Sequence, residues 1–245
     1  MRLVLFDIDG TLLDSGGAGT RALNLAFGEM FAVEDAMEGI SMAGKTDVTI
    51  IREGLERLGV GDASGAIPGL LDSYLRNLSE EIKRSGANGL PPKSLMPGAG
   101  DLLDYLLSSR GLRLGLLTGN VREGAWIKLG AFGIHRYFSF GAFGSDSEDR
   151  NELLPLAVRM FRDISGTGVA FGDCAVVGDT PLDVACAKLH GARAVAVATG
   201  PYTSEELEAA GADAVFEKLP DGETFLRLLS RTLRAPWPSW PHCRP

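Results

Sequence analysis

The chain of 245 residues contains no apolar run that approaches the length of a membrane-spanning helix, so a helical membrane protein is excluded. Cysteine is scarce: Cys174, Cys186 and Cys243 lie far apart without CxxC spacing, and neither a disulfide framework nor a thiolate metal site is expected. Positive charge is in deficit as well, with 24 Lys and Arg against 32 Asp and Glu and a formal charge of -8. That balance argues against non-specific binding to nucleic acid and against attachment to an anionic membrane. No leader segment is expected either, because Met1 runs directly into the strand-like Arg2-Leu3-Val4-Leu5-Phe6. The expectation is a cytoplasmic protein acting on a small molecule, and nothing in the sequence marks an oligomeric state.

Hydrophobic residues make up 45% of the chain, enough for one main core and a smaller second module. Short β-branched runs alternate with helix-period segments over the C-terminal two thirds, which predicts β-α-β units and a mostly parallel sheet. Strands are predicted at Leu3 to Phe6, Leu112 to Leu117, Cys174 to Val177 and Arg193 to Ala198, with weaker signals at Tyr137 to Phe143 and Ala214 to Phe216. Between the first strand and Leu112 helical spacing dominates and no strand is expected. Leu23, Phe27, Met30 and Phe31 form one stripe; Ile50, Ile51, Leu55 and Leu58 form another, on a helix starting near Thr46. Turn formers at Asp14 to Gly19 and Gly86 to Gly100 mark the two connections of a helical insertion. The predicted division is an α/β core at 1–14 and 98–234, an inserted helical module at 15–97, and a Pro/Trp-rich tail at 235–245. Four prolines in that tail forbid a helix or a central strand.

The strongest local signal is Phe6-Asp7-Ile8-Asp9-Gly10-Thr11-Leu12, two carboxylates at the carboxyl end of the first strand, where open α/β sheets bind ligands. Taken alone it also reads as an ordinary Asp-Gly turn. A second pair stands in Val177-Gly178-Asp179-Thr180-Pro181-Leu182-Asp183, where helix capping by Asp179 or Thr180, with Asp183 near the helix dipole, explains the residues nearly as well. Convergence favours chemistry. Like charges about 4 Å apart repel by about 4 kcal/mol at an effective dielectric near 20, so two carboxylate pairs on one sheet edge call for a cation. An all-oxygen donor set suits Mg2+. Thr118-Gly119-Asn120 ends another strand before a helix beginning near Val121, whose free N–H groups suit a phosphate oxygen; a simple helix cap is the alternative.

The order DxDGT, TGN, GDxxxD resembles the haloacid dehalogenase superfamily of phosphotransferases, in particular its branch of phosphoglycolate phosphatases and β-phosphoglucomutases, over Met1 to about Leu233. The resemblance implies a doubly wound, Rossmann-like parallel-sheet core with a small helical cap inserted after the first strand. It implies Asp7 as the nucleophile that forms an aspartyl-phosphate and Asp9 as the acid and base. Mg2+ would be held by Asp7, the backbone carbonyl of Asp9 and Asp179, with Asp183 acting through water. Thr118, Gly119 and Asn120 would hold the phosphate. The family's Lys-Pro after the third strand is absent here, and Arg150 is expected to supply the phosphate-binding cation; Lys128 is the competitor for that role, although its place within a helix favours a structural or surface one. Ala43-Gly44-Lys45-Thr46-Asp47 resembles the cap segment that approaches substrate. There Lys45 either contacts a substrate carboxylate or second phosphate, or is an exposed charge beside the Thr46 helix cap. The implied activity is hydrolysis of a small phosphorylated metabolite such as phosphoglycolate; a β-phosphoglucomutase-type transfer, sugar phosphates, nucleotides and pyrophosphate remain open. A haloacid dehalogenase is disfavoured because Asp9 stands where those enzymes lack an acid.

Overall fold

The computed structural model describes residues 1–230; the Pro/Trp-rich tail expected at 235–245 lies outside the described residues, as does Cys243. In chain order the elements are β1 (Arg2–Phe6), β2 (Leu13–Asp14), α1 (Ala18–Phe31), α2 (Asp47–Arg57), α3 (Ala63–Arg84), β3 (Ser94–Leu95), α4 (Ala99–Ser108) and β4 (Leu112–Thr118). They continue with α5 (Arg122–Ala131), β5 (Gly141–Phe143), α6 (Leu153–Ser165), β6 (Cys174–Gly178), α7 (Pro181–Leu189), β7 (Arg193–Val197), α8 (Ser204–Ala209), β8 (Ala214–Phe216) and α9 (Gly222–Ser230). Six strands form one parallel sheet in the order β5-β4-β1-β6-β7-β8. This is the doubly wound α/β architecture expected from the sequence.

Both faces of the sheet are covered, which is why its strands read as nearly continuous apolar runs. Side chains still alternate along β1. Val4 and Phe6 pack with Leu102, Leu103, Leu129 and Phe225 on one face, while Leu3 and Leu5 pack with Leu153, Leu154, Phe161 and Val184 on the other. Each such buried side chain contributes roughly 1.5–3 kcal/mol of transfer free energy.

Two expectations need correction. Of Tyr137 to Phe143 only Gly141–Phe143 is strand, and His135–Tyr137 is a 3-10 turn. The aromatic run reads as β because it is apolar, but Tyr137, Phe138 and Phe140 are buried as core-filling side chains around a short edge strand. Strand also occurs between β1 and Leu112, where none was expected: β2, just before the insertion, pairs antiparallel with β3 near its end, Leu13 opposite Leu95 and Asp14 opposite Ser94. Two-residue strands are too short to show a period, and this ribbon ties together the insertion's two connections.

The insertion itself is a helical layer. Its apolar cluster joins Leu23 and Phe27 of α1, Ile50, Ile51 and Leu55 of α2, and Leu70, Tyr74 and Leu78 of α3, and reaches Val121 at the start of α5. Thr46 caps α2, its side chain accepting from the Thr49 N–H, as the sequence predicts. Met30 and Leu58 are exposed, so the expected stripes are narrower than drawn.

Candidate active site

Register decides where the polar residues meet. Phe6 lies opposite Leu116 of β4 and Val177 of β6, so Asp7, Thr118 and Asp179 leave three adjacent strands at one carboxyl edge. β1 is also the point where the strand order reverses, the usual crevice of an open sheet. A cavity of about 250 Å³ opens there between the sheet edge and the helical insertion, lined by Asp7, Asp9, Asp179, Lys128 and Arg150 among others.

Asp7 is 6% exposed, and its backbone N–H donates to the Val177 carbonyl at 2.9 Å. Burial lifts its carboxyl to about 6; the Arg150 guanidinium opposes that rise, and Asp183 and Asp9 add to it. Asp179 is pushed further, to about 8, by burial and then by the Asp7 charge. Ligand atoms of Asp7, Asp179 and Asp183 all lie within 4.8 Å of one another, and all three residues are buried. Gly10 makes this grouping possible. Its φ of +78° is a left-handed conformation suited to glycine, and a Cβ there would stand 2.3 Å from Asp179 Oδ2. An all-carboxylate cluster in which the pKa values of Asp7 and Asp179 are both raised, with room beside it only because Gly10 has no side chain, fits a hard divalent cation.

Asp9 turns away from this cluster. Its Oδ2 accepts from Lys128 Nζ at 2.6 Å and from Asn120 Nδ2 at 2.8 Å, and Asn120 Oδ1 accepts from the same Lys128 at 2.7 Å. The Thr118 hydroxyl, fully buried, accepts from Asn120 Nδ2 at 2.8 Å. Lys128 is 4% exposed, so of the places the sequence left open to it the surface one is removed. Burial by itself would lower its pKa, but Asp9 and Asp47 outweigh that and hold it above the usual lysine range. The signal was present: Val121, Ala125, Lys128 and Leu129 share the buried face of α5, and a lysine on an apolar stripe needs partners.

Arg150 opens the turn before α6 and is 6% exposed. Its Nη2 bridges Asp7 Oδ1, at 3.3 Å, and Asp183 Oδ1, and its Nη1 donates to the Gly44 carbonyl at 3.1 Å. Its Nε is buried with no partner among the described residues. Asp183 serves two purposes: Oδ2 accepts from the Thr180 N–H and hydroxyl in a capping box on α7, while Oδ1 meets Arg150. Capping and site chemistry, opposed in the sequence reading, are here the work of one carboxylate. Thr11, unremarked in the sequence, donates to Asp179 Oδ1 at 3.0 Å.

The N–H groups expected to be open at the start of α5 are occupied. Val121 N–H donates to Asp47 Oδ2 at 2.8 Å, and Arg122 N–H to the Ser145 hydroxyl at 3.2 Å. Asp47 is buried, and burial lifts its carboxyl to about 6. Its own N–H donates to the Gly119 carbonyl at 2.8 Å, so the segment 43–47 is seated directly on the Thr118-Gly119-Asn120 turn. Sequence reading singled out this segment but gave the role to Lys45. Lys45 lines the cavity and is ion-paired with Glu53.

A family model for haloacid dehalogenase-like hydrolases matches residues 1–191. A phosphoglycolate phosphatase of Rhodospirillum rubrum is 30% identical over 218 residues, covering 88% of this chain and 87% of that protein. Another, from Synechococcus elongatus, is 29% identical over 221 residues and covers 90% and 95%. Among solved structures, CbbY from Rhodobacter sphaeroides in complex with phosphate superposes with a TM-score of 0.67 at 21% identity, covering 89% of this chain and 95% of that one.

Proposed function

The chain belongs to the haloacid dehalogenase-like hydrolases, and from that premise we propose that it is a Mg2+-dependent phosphatase of a small, phosphoglycolate-like monoester. The observation that carries this reading is the convergence in one cavity of Asp7 and the two cations that flank it, Arg150 toward Asp183 and Lys128 toward Asp9. The cavity, about 250 Å³, lies just below the usual range of ligand pockets, roughly 300–1,000 Å³, which favours a short organic group.

In the proposed reaction an Asp7 carboxylate oxygen attacks phosphorus and the bond to the ester oxygen breaks, leaving the phosphoryl group on Asp7. Asp9 protonates the departing oxygen, then takes a proton from the water that cleaves the acyl phosphate, releasing inorganic phosphate and restoring Asp7. Lys128 and Asn120 both occupy Asp9 Oδ2, so Oδ1 is the oxygen that faces the leaving group. Thr118, Asn120, Lys128 and Arg150 surround the phosphoryl oxygens, where fixed donors act most strongly in a site shielded from water. Asp7, the Asp9 carbonyl, Asp179 and Asp183 would hold Mg2+, which when bound neutralises charge on the transferring oxygens.

Residues 15–97 act in this scheme as a cap. Asp47 on Gly119 and Val121, Arg150 on the Gly44 carbonyl, and the exposed Arg52–Glu148 ion pair all join the insertion to the core beside the site, the arrangement by which a cap shields chemistry from water. The test is inorganic phosphate release from a panel of phosphate esters with and without Mg2+, with Asp7→Asn as control. Turnover that survives in Asp7→Asn, or that ignores Mg2+, overturns the proposal.

A further inference from the structure

Tyr74 projects from α3 into the same cavity, and the mechanism above does not use it. The residue is 1% exposed and lines the cavity, yet its hydroxyl makes no hydrogen bond to any described residue. A tyrosine buried to this degree ordinarily finds a partner for its hydroxyl, and here the hydroxyl oxygen is left open to the cavity, where a ligand can meet it. Its position can be fixed from Gly19. An atom placed where a Gly19 side chain would begin lies 3.7 Å from Lys128 Nζ and 3.9 Å from the Tyr74 hydroxyl oxygen. Lys128 Nζ is in turn 2.6 Å from the Asp9 carboxylate. The phenol therefore lies on the side of the cavity held by Lys128 and Asp9, where the leaving oxygen is placed in the mechanism above.

Every cation lining the cavity is already committed: Arg150 to Asp7 and Asp183, Lys128 to Asp9 and Asn120, Lys45 to Glu53. What the cavity offers an organic group beside the ester oxygen is thus a neutral donor. Burial, followed by the nearby Asp47 and Asp9 charges, holds the phenol pKa well above its usual value, so Tyr74 keeps its proton.

We propose that Tyr74 is the specificity-determining residue of this site, donating a hydrogen bond to an acceptor oxygen, carboxylate or hydroxyl, carried by the leaving group close to the ester bond. The proposal rests on the phosphatase reading. A site that holds out an unpartnered donor rejects the analogue lacking the acceptor, because binding it buries the hydroxyl unpaired.

The experiment compares 2-phosphoglycolate with ethyl phosphate, which keeps the two-carbon ester but has no acceptor, on wild type and Tyr74→Phe with Mg2+ present. Wild type should prefer phosphoglycolate, and Tyr74→Phe should lower kcat/KM for it about tenfold, chiefly through KM, while ethyl phosphate changes less than about twofold. Loss of packing would lower both esters together and shift the thermal midpoint, so an equal loss overturns the role given to Tyr74. So does a preference that survives the substitution, or a wild type that hydrolyses both esters equally well; in these cases the phosphatase reading stands. A wild type that releases phosphate from neither ester but from others of the panel overturns this inference alone, and one that releases it from no ester of the panel removes the phosphatase reading and this inference with it.

Discussion

At the scale of single residues, the two buried cations are not equivalent. Arg150 spans two carboxylates and a carbonyl with one planar fork, a geometry that a lysine's compact charge cannot reproduce. Arg150→Lys should fold and lose about tenfold in kcat, whereas Lys128→Ala, which strips Asp9 and Asn120 of their shared partner, should lose about 100-fold or more. Steady-state kinetics on both variants checks the order; a larger loss in Arg150→Lys would reverse the weights given to them. Asp47 belongs with these residues. Asp47→Ala leaves the buried Val121 N–H without an acceptor, an expected loss of about 1–3 kcal/mol visible in a denaturation midpoint. A midpoint unchanged in Asp47→Ala would mean that solvent replaces the carboxylate.

Elements bring opposing tendencies into contact, and magnitudes decide between them. Gly54 lies inside α2, where alanine would favour the helix by about 1 kcal/mol. A Cβ at that position would meet the Phe27 ring at 2.7 Å and the Met37 methyl at 3.1 Å, and overpacking of this kind costs about 1–3 kcal/mol. Packing should win, so Gly54→Ala is expected to destabilise by about 1–2 kcal/mol in urea denaturation. A stabilised variant would show that α1 and α2 can separate without penalty. The glycine permits this close approach of α2 to α1, and the seat of segment 43–47 over the sheet edge is built on the resulting layer.

For the molecule as a whole, the site is a source of instability without a cation. Asp7, Asp47 and Asp179 have folded pKa values of about 6, about 6 and about 8, above the 3.8 of a free aspartate. Groups raised in this way favour the fold while protonated, and that contribution is lost as pH climbs from about 4 toward 8. Metal-free protein should therefore show a thermal midpoint that falls over this range, and millimolar Mg2+ should flatten the fall near pH 8 by binding the folded state. Asp179→Asn, which removes one of the clustered charges, is expected to raise the metal-free midpoint at pH 8 by a few degrees, at about 2–4 °C per kcal/mol, while abolishing Mg2+ stabilisation. Calorimetry across pH with and without Mg2+ decides it; a midpoint that rises from pH 5 to 8 without metal would contradict these assignments.

The sequence by itself determined the parallel sheet, the helical insertion and the sheet edge to which Asp7, Thr118 and Asp179 are delivered. These follow from hydrophobic period and strand-end position, which are local properties of the chain. Folding alone decided which carboxylate faces which cation. Lys128, in sequence only the competitor to Arg150 for the cationic role, gained its partner when α5 was laid beside Asp9, and Arg150 acquired Asp183 only when the α6 entry turn met α7. Asp47 gained its partner through the contact of an inserted segment with the start of α5, 74 residues away. Such pairings depend on the angle at which packed helices present their side chains, and one-dimensional spacing carries no record of that angle. The reading of Asp7 as a nucleophile thus begins in the sequence, while the set of charges around it belongs to the tertiary structure.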